Sequence, residues 1–191
     1  MALSAENPAP SPAPERPAAL PCIVVMGVSG VGKTTVAQLL AERLGVPFAE
    51  ADDFHPSTNI AKMSAGVPLD DADRQPWLEA IGRWLSRCDT AGSGGVATCS
   101  ALKRRYRDTL RAASPKVFFL HLTADRALIA DRLGHRNGHF MPVSLLDSQF
   151  AALEPLAPDE YGASLDAAPG TEQLVEMAVE SVPRPVNGDL A

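Results

Sequence analysis

Residues 26 to 35 have the types and the spacing of a loop that binds phosphate. They read Met-Gly-Val-Ser-Gly-Val-Gly-Lys-Thr-Thr, so Gly27 and Gly32 are five positions apart and Lys33 and Thr34 follow directly. Glycine allows the backbone to turn its N–H groups inward, and a helix that starts at such a loop adds the positive end of its dipole. We expect Lys33 to reach the β- and γ-phosphates of a nucleotide such as ATP, and the Thr34 hydroxyl to bind Mg²⁺.

The flanking residues favour a phosphate loop over a plain glycine-rich turn. An apolar run at residues 22–26 predicts a strand, and residues 33–44 predict a helix that ends at Gly45. Strand, loop and helix in this order are the context that the motif requires. The predicted nucleotide contacts are Gly27, Val28, Ser29, Gly30, Val31, Gly32, Lys33, Thr34 and Thr35.

A second group of chemically capable residues follows a short strand predicted at residues 46–50. This strand leads to Asp52, Asp53 and His55. Ligands of open parallel sheets bind at the carboxyl ends of the strands, where an aspartate can orient an acceptor hydroxyl or hold a water on Mg²⁺. The alternatives are that the two aspartates only cap the next helix and that the histidine only packs. These residues by themselves leave the choice open.

Basic residues form a third group. The helix predicted at residues 101–111 carries Lys103, Arg104, Arg105, Arg107 and Arg111, with only Asp108 between them. A solvated helix face usually alternates its charges, so we favour an anion-facing role for Lys103 and Arg107. Arg74 stands at the entrance of another predicted helix, where a cation gains nothing from the dipole. It therefore either meets an anionic partner or pairs with Asp70 or Asp71.

A basic, glycine-rich segment at residues 134–142 lies between helices predicted at 124–133 and 143–153. This composition is typical of a mobile lid whose arginines reach the transferring phosphate on closure. Arg132 and Arg136 are four positions apart and could face the nucleotide together. We expect Arg136 near the γ-phosphate and Arg132 near the adenine and the α-phosphate.

The remaining predictions concern the scaffold. The clearest buried strand is residues 116–122, in which His121 is expected to be structural, and another strand is predicted at residues 96–100. A helix from residue 75 to 88 would bury Trp77 and Trp84. Three shorter segments complete the prediction: a helix at 59–65, an apolar stretch near 163–165 and a helix at 171–182.

Composition places limits on organisation and partners. The 191 residues, 46% of them apolar, predict one globular domain at 21–182, with a proline-rich disordered tail at 1–20 and a second tail at 183–191. The net charge of −6 predicts no general attraction to nucleic acid or anionic membranes, so the partner is expected to be small. Three widely spaced cysteines without a metal or disulfide pattern predict a reducing cytoplasm. The sequence also lacks the apolar run of a membrane span and the features of a secretory signal. The tail could instead recruit a partner through its prolines.

The chain resembles the small gluconokinases of the phosphate-loop type and, more distantly, shikimate kinase, over residues 22 to 182. The phosphate loop alone is common to many functions, whereas the other shared motifs are more specific. The motifs are Gly27 to Thr34, Asp52-x-x-His55-Pro56, Asn59-Ile60-x-Lys62-Met63, Gly66-x-Pro68-Leu69-x-Asp71-x-Asp73-Arg74-x-Pro76-Trp77-Leu78, Cys99-Ser100-Ala101-Leu102-Lys103-x-x-Tyr106-Arg107-Asp108 and Gly138-His139-Phe140-Met141.

The resemblance implies ATP-dependent phosphorylation of D-gluconate at its 6-hydroxyl, a three-layer α/β fold with a five-stranded parallel sheet, and a homodimer. It assigns catalysis to Lys33, Asp52 and Arg136, and Mg²⁺ to Thr34 with Asp52 acting through water. The candidates for binding the gluconate carboxylate and hydroxyls are Asp52, His55, Arg74, Lys103 and Arg107.

One departure from the family pattern limits this assignment. Many relatives have Asp-Gly-Asp where this chain has Glu50-Ala51-Asp52. The catalytic role is therefore carried to Asp52 only, and Glu50 and Asp53 remain unassigned.

Two other functions compete with this interpretation. The first is a kinase for another acceptor, such as shikimate, another aldonate or a nucleoside monophosphate; the acidic segment 70–73 argues against a dianionic nucleotide. The second is a non-catalytic ATP-binding regulatory module. The presence of Lys33, Thr34, Asp52 and a basic lid in one chain argues against the module.

Overall fold

The computed structural model describes residues 20–134 and 143–183. Within them, five strands form one sheet in the order β2-β3-β1-β4-β5, and every neighbouring pair is parallel. The strands are β1 (Cys22–Met26), β2 (Phe48–Ala49), β3 (Gly95–Thr98), β4 (Phe118–Thr123) and β5 (Gly162–Asp166). The five-stranded parallel sheet of the predicted α/β fold is confirmed.

Helices connect the strands and cover the sheet. In chain order they are α1 (Lys33–Leu44), α2 (Ser57–Ser64), α3 (Asp71–Ala91), α4 (Arg104–Ala113), α5 (Arg126–Gly134), α6 (Val143–Ala152) and α7 (Thr171–Ser181), with a short 3-10 turn at Ala51–Phe54. None of the helices in the described parts of the chain is long and apolar enough to cross a membrane.

The central strand β1 shows why the sheet needs helices on both faces. Ile23 and Val25 belong to the apolar core that includes residues of α1 and α7, whereas Val24 and Met26 belong to the core that includes residues of α3. All four side chains are fully buried. A strand with two buried faces reads as a continuous apolar run, which is the pattern of a parallel sheet between helix layers.

Helix α3 begins four residues earlier than the sequence predicts. Asp70 is its N-cap: the Asp70 side chain accepts a hydrogen bond from the Asp73 backbone N–H at 2.8 Å, and the Asp73 side chain accepts one from the Asp70 N–H at 3.1 Å. This reciprocal capping box satisfies two backbone donors and extends the helix upstream of Pro76. Trp77 is buried as expected, and Trp84 is partly buried.

Other boundaries also differ from the predictions. Helix α4 begins at Arg104, not at residue 101, because Ala101 has a left-handed backbone with φ of 42° that cannot continue a right-handed helix. Strand β2 has only two residues of the five predicted, and the apolar stretch near residue 164 lies within β5. The predicted tails and lid lie outside the described residues, apart from residues 20, 134 and 183.

The capping box of α3 gives a stability prediction. Replacing Asp70 by Ala removes the acceptor for the Asp73 N–H and should lower the free energy of unfolding by about 1 kcal/mol. For a chain of this length the melting temperature should fall by about 2 to 4 °C, measured by thermal unfolding followed by circular dichroism. Arg83→Ala, at an exposed position in the middle of the same helix, is the matched control. Equal melting temperatures for the two variants would contradict the capping role.

Candidate active site

The phosphate loop has the backbone shape that its glycines permit. Gly27 has φ of 138°, and a Cβ atom at this position would lie 2.5 Å from the backbone oxygen of Leu122 on β4. Any side chain there would therefore push the loop away from the sheet. Gly32 is the N-cap of α1, so the first N–H groups of the helix have no partner within it. Lys33 donates from Nζ to the backbone oxygen of Val28 at 3.0 Å, which draws its ammonium group over the loop.

Helix α6 supports the loop through a residue that the sequence analysis missed. The Gln149 Oε1 atom accepts a hydrogen bond from the Ser29 N–H at 2.7 Å, and Gln149 Nε2 donates to Ser29 Oγ at 3.2 Å. The two residues are 120 positions apart, and no local pattern marks Gln149. Because the Ser29 N–H is taken by this contact, a nucleotide would have to meet Ser29 through other atoms.

A cleft of about 220 Å³ opens beside the loop. Arg132 on α5 lines it and donates from Nη1 to the Val31 oxygen at 3.3 Å and from Nη2 to the Ala167 oxygen at 2.7 Å. The other residues lining the cleft are Gly30, Val31, Gly32, Thr35, Val36, Ala167, Pro169, Thr171 and Leu174. Four of the nine predicted loop residues, Gly30, Val31, Gly32 and Thr35, therefore share one cleft with Arg132. The predicted Arg136 lies outside the described residues.

The acidic loop after β2 brings together three of the predicted acceptor residues. The His55 ring stacks on Trp77 with centroids 4.6 Å apart and planes 6° from parallel. Burial lowers the pKa of His55, the nearby Asp52 charge opposes this shift, and Arg74 adds to it. Asp52 and Arg74 therefore lie within electrostatic range of the imidazole. The ring is neutral at neutral pH and can accept or donate a hydrogen bond.

The donor and acceptor groups converge at the end of β3. Burial raises the pKa of the Cys99 thiol to about 12; Lys33 opposes the shift, and Asp52 and Glu50 add to it. Cys99 is the first residue after β3, the strand between β1 and β2, so all three charged residues lie within electrostatic range of this point of the sheet. The thiol stays protonated, so Cys99 is not a nucleophile. The strand order therefore brings the lysine of the phosphate loop and the carboxylates around the end of β2 to the same edge of the sheet, which is the arrangement that phosphoryl transfer to a hydroxyl needs.

Glu50, which the sequence analysis left unassigned, is a second carboxylate at this point. Its Oε1 atom accepts a hydrogen bond from Thr98 Oγ1, and Thr98 Oγ1 accepts one from the Ala51 N–H at 3.0 Å. Its Oε2 atom is buried and has no hydrogen-bond partner among the described residues. A buried carboxylate oxygen is costly unless a cation or a water satisfies it. The only sequence signal was its position two residues before Asp52.

The basic helix corrects the prediction for Arg107. This side chain is 1% exposed and donates from Nε to Glu160 Oε1 at 2.6 Å and from Nη2 to Glu160 Oε2 at 2.8 Å. Its remaining donors meet backbone oxygens, so it has no capacity to bind gluconate. All five cations of this segment pair with acids: Lys103 with Asp71, Arg104 with Asp159, Arg105 with Asp71, Arg107 with Glu160 and Arg111 with Asp108.

Lys103, unlike Arg107, remains partly accessible to solvent. It donates to Asp71 Oδ1 at 3.2 Å, while Tyr106 and Arg105 also donate to the Asp71 carboxylate. The Tyr106 hydroxyl, followed by Lys103 and Arg105, lowers the pKa of Asp71 to about 2. Asp71 is thus engaged by α4, and an ammonium group with three donors retains capacity for a ligand.

Comparison with known proteins agrees with this geometry. The family model for shikimate kinase matches residues 29–151. A gluconokinase from Gluconobacter oxydans (strain 621H) is 55% identical over 138 residues, which cover 72% of this chain and 78% of that protein. The chain belongs to the gluconokinase family.

Two solved structures of similar proteins share the fold of this gluconokinase family member. An unliganded sugar kinase from Janibacter sp. HTCC2649 superposes with a TM-score of 0.79 and 51% identity, covering 85% of this chain and 94% of that one. A gluconokinase from Sinorhizobium meliloti 1021 gives a TM-score of 0.78 and 44% identity, covering 85% and 91%. The resemblance identified from the motifs is therefore confirmed.

The half-buried His55 gives a pH prediction. Its pKa in the folded protein is below the ordinary value of 6.5, which applies to the unfolded chain. The unfolded chain therefore binds this proton more tightly than the folded protein does. The contribution of neutral His55 to the free energy of unfolding is fully present above pH 6.5, and it is lost as the pH falls through the pKa of the folded protein. His55→Phe keeps a ring to stack on Trp77 but removes the titration. Urea unfolding at about pH 7.5 and about pH 5.5 should show a smaller loss of stability in the variant than in the parent. Equal losses would show that His55 does not contribute.

Proposed function

We propose that this protein transfers the γ-phosphoryl group of ATP to the 6-hydroxyl of D-gluconate, giving 6-phospho-D-gluconate and ADP. The observation that carries the proposal is that the phosphate loop after β1 and the acidic loop after β2 lie at the same edge of the sheet, on either side of β3, in a chain of the gluconokinase family. The phosphate loop supplies the donor site, and the loop after β2 supplies the acceptor site. The gap between them is where the phosphoryl group would move.

On the donor side, the residues bind the nucleotide and balance the charge of the moving group. The transition state of phosphoryl transfer is loose, so positioning and electrostatic stabilisation account for most of the catalysis. Lys33 and the N–H groups at the start of α1 would hold the β- and γ-phosphates. Arg132 would face the adenine and the α-phosphate from the cleft that it lines. Arg136, outside the described residues, is proposed as the lid arginine that approaches the γ-phosphate.

On the acceptor side, Asp52 would accept a hydrogen bond from the 6-hydroxyl and align its oxygen with the γ-phosphorus. An exposed carboxylate at the end of a strand can take this position and later receive the proton. His55, Arg74 and Lys103 would bind the gluconate carboxylate and its other hydroxyls. The positive charge of Arg74 and Lys103 supports recognition of a monoanionic sugar acid.

The residues present also suit Mg²⁺, which when bound neutralises charge on the β- and γ-phosphates. The Thr34 hydroxyl, at the start of α1, would be a direct ligand. Asp52 would act through water, and the unsatisfied, buried Oε2 atom of Glu50 supports a similar outer position for this carboxylate. A hydroxyl with one or two carboxylates and several waters is the donor set that this ion favours.

Cellular setting and assembly belong to the same proposal. Cys22, Cys88 and Cys99 are buried free thiols, which supports a reducing cytoplasm. A homodimer is expected from the family resemblance. Light scattering on the purified protein measures the mass directly, and a monomer at micromolar concentration would contradict the homodimer.

A coupled assay of the purified protein with ATP, Mg²⁺ and D-gluconate tests the function. Shikimate and a small panel of aldonates and sugars, run in parallel, measure acceptor selectivity. We expect strong turnover of gluconate and little of the others. ATP binding without phosphate transfer to any acceptor would overturn the enzymatic proposal.

The role of Asp52 is tested by two neighbouring carboxylates. Asp52→Asn removes the acceptor for the hydroxyl proton and should lower kcat with gluconate by about 10²- to 10⁴-fold, while the KM for ATP changes little. Asp53→Asn makes the same chemical change at the adjacent exposed position and should leave kcat close to that of the parent. A parental kcat in Asp52→Asn would reject the orienting role.

A further inference from the structure

We propose that the buried pair Arg107–Glu160 is a positioning device for the reaction. Neither side chain touches the substrates. The pair holds the turn formed by residues 99–103, which we call the β3–α4 turn, and phosphoryl transfer depends on the shape of that turn. The inference rests on the proposed function for its main readout, the kcat with gluconate. Its second readout, amide hydrogen exchange, does not depend on that function.

The β3–α4 turn lies between the two halves of the site. It follows β3, whose neighbours in the sheet are β1, which leads to the phosphate loop, and β2, which leads to Asp52. At one end of the turn, the Ser100 oxygen accepts a hydrogen bond from the Gly27 N–H at 3.3 Å. At the other end, Lys103 reaches Asp71. The turn therefore contacts the donor loop directly and carries a candidate acceptor residue.

The turn contains the strained backbone of the structure. Ala101 is fully buried and has φ of 42°, which a residue with a side chain rarely adopts. Among the described residues it is the one non-glycine residue with a positive φ. Such a conformation persists only where its surroundings fix it, and it is common where geometry serves function.

Arg107 fixes the strained segment. Its Nη1 atom donates to the Ala101 oxygen at 3.0 Å and to the Leu102 oxygen at 3.3 Å. The same guanidinium donates to the oxygens of Glu154 at 3.0 Å and Pro155 at 3.4 Å. It thereby joins two backbone segments that lie far apart in the chain. The Glu154 N–H completes the link by donating to the Leu102 oxygen at 2.8 Å.

Glu160 fixes Arg107 in turn. Its carboxylate accepts from Nε and Nη2 in a bidentate pair, and its Oε2 atom also accepts from the Ala157 N–H at 3.0 Å. Both side chains are at most 2% exposed. A buried ion pair is a weak source of stability, since apolar residues of similar volume often replace it without loss. What apolar residues cannot replace is the planar set of donors that meets four backbone oxygens.

The test separates positioning from stability. Arg107→Met combined with Glu160→Leu keeps the buried volume and leaves no unpaired buried charge, so the double variant should fold, with a melting temperature lowered by the loss of the donors to the backbone oxygens. We expect its kcat with gluconate to fall about ten- to a hundredfold, with a smaller change in the KM for ATP. The control is Arg111→Met with Asp108→Leu, a partly exposed pair on the same helix, which should keep the parental kcat.

A rescue variant provides a readout that a purely structural role would not move. Glycine adopts a positive φ without a side-chain penalty. Adding Ala101→Gly to the double variant should therefore recover part of the lost kcat. A folded double variant with parental kcat overturns the proposal, as does a loss of kcat that Ala101→Gly leaves unchanged.

Amide hydrogen exchange provides the readout that is independent of the acceptor. The Gly27 and Glu154 amides donate to the turn and should exchange faster in the double variant than in the parent. If the parent turns over no gluconate, the proposed function fails, and unchanged exchange would separately reject the positioning role.

If the double variant does not fold, Arg107→Lys takes its place. It keeps the charge beside Glu160 but loses the planar donors, and a parental kcat in this variant rejects the proposal.

Discussion

The parallel pairing of β1, β3 and β2 is the constraint on which the site depends. Parallel strands point in one direction, so the loops that follow them meet at the same edge of the sheet. The phosphate loop, the turn after β3 and the loop containing Asp52 are therefore neighbours, although they are far apart in sequence. No long-range contact between side chains is needed to bring them together. The sheet sets the meeting point, and side chains adjust distances within it.

The basic cluster at residues 103–111 is compensated within the fold. The cations of α4 pair with acids from α3 and from the segment before β5, and the buried pair Arg107–Glu160 is the extreme case. A cluster of like charges in a sequence indicates an anion site only if the fold supplies no opposite charges to it. Arg74 and Lys103, the cations proposed to bind the substrate anion, lie at the starts of α3 and α4.

The sequence predicts the parts of this structure that local physics determines. The phosphate loop between β1 and α1 and a buried strand overlapping residues 116–122 rest on spacing and propensity, and both are present in the structure. Apart from the ends of some helices and strands, the errors concern interactions between distant residues. Arg107 meets Glu160 at a separation of 53 positions, Gln149 meets Ser29 at 120, and Thr98 meets Glu50 at 48. No periodicity or motif encodes such pairs, so they become visible only in three dimensions.

The contacts of Arg132 and Gln149 have a consequence for nucleotide affinity. Arg132 on α5 binds the Val31 oxygen, and Gln149 on α6 binds the Ser29 N–H, so both helices that flank residues 135–142 are attached to the same loop. The spacing of these helices is then energetically coupled to the shape of the loop. A nucleotide that favours one loop shape would therefore also favour one helix spacing. By linkage, if an effector that binds one helix spacing changes nucleotide affinity by some factor, the nucleotide changes the affinity for that effector by the same factor.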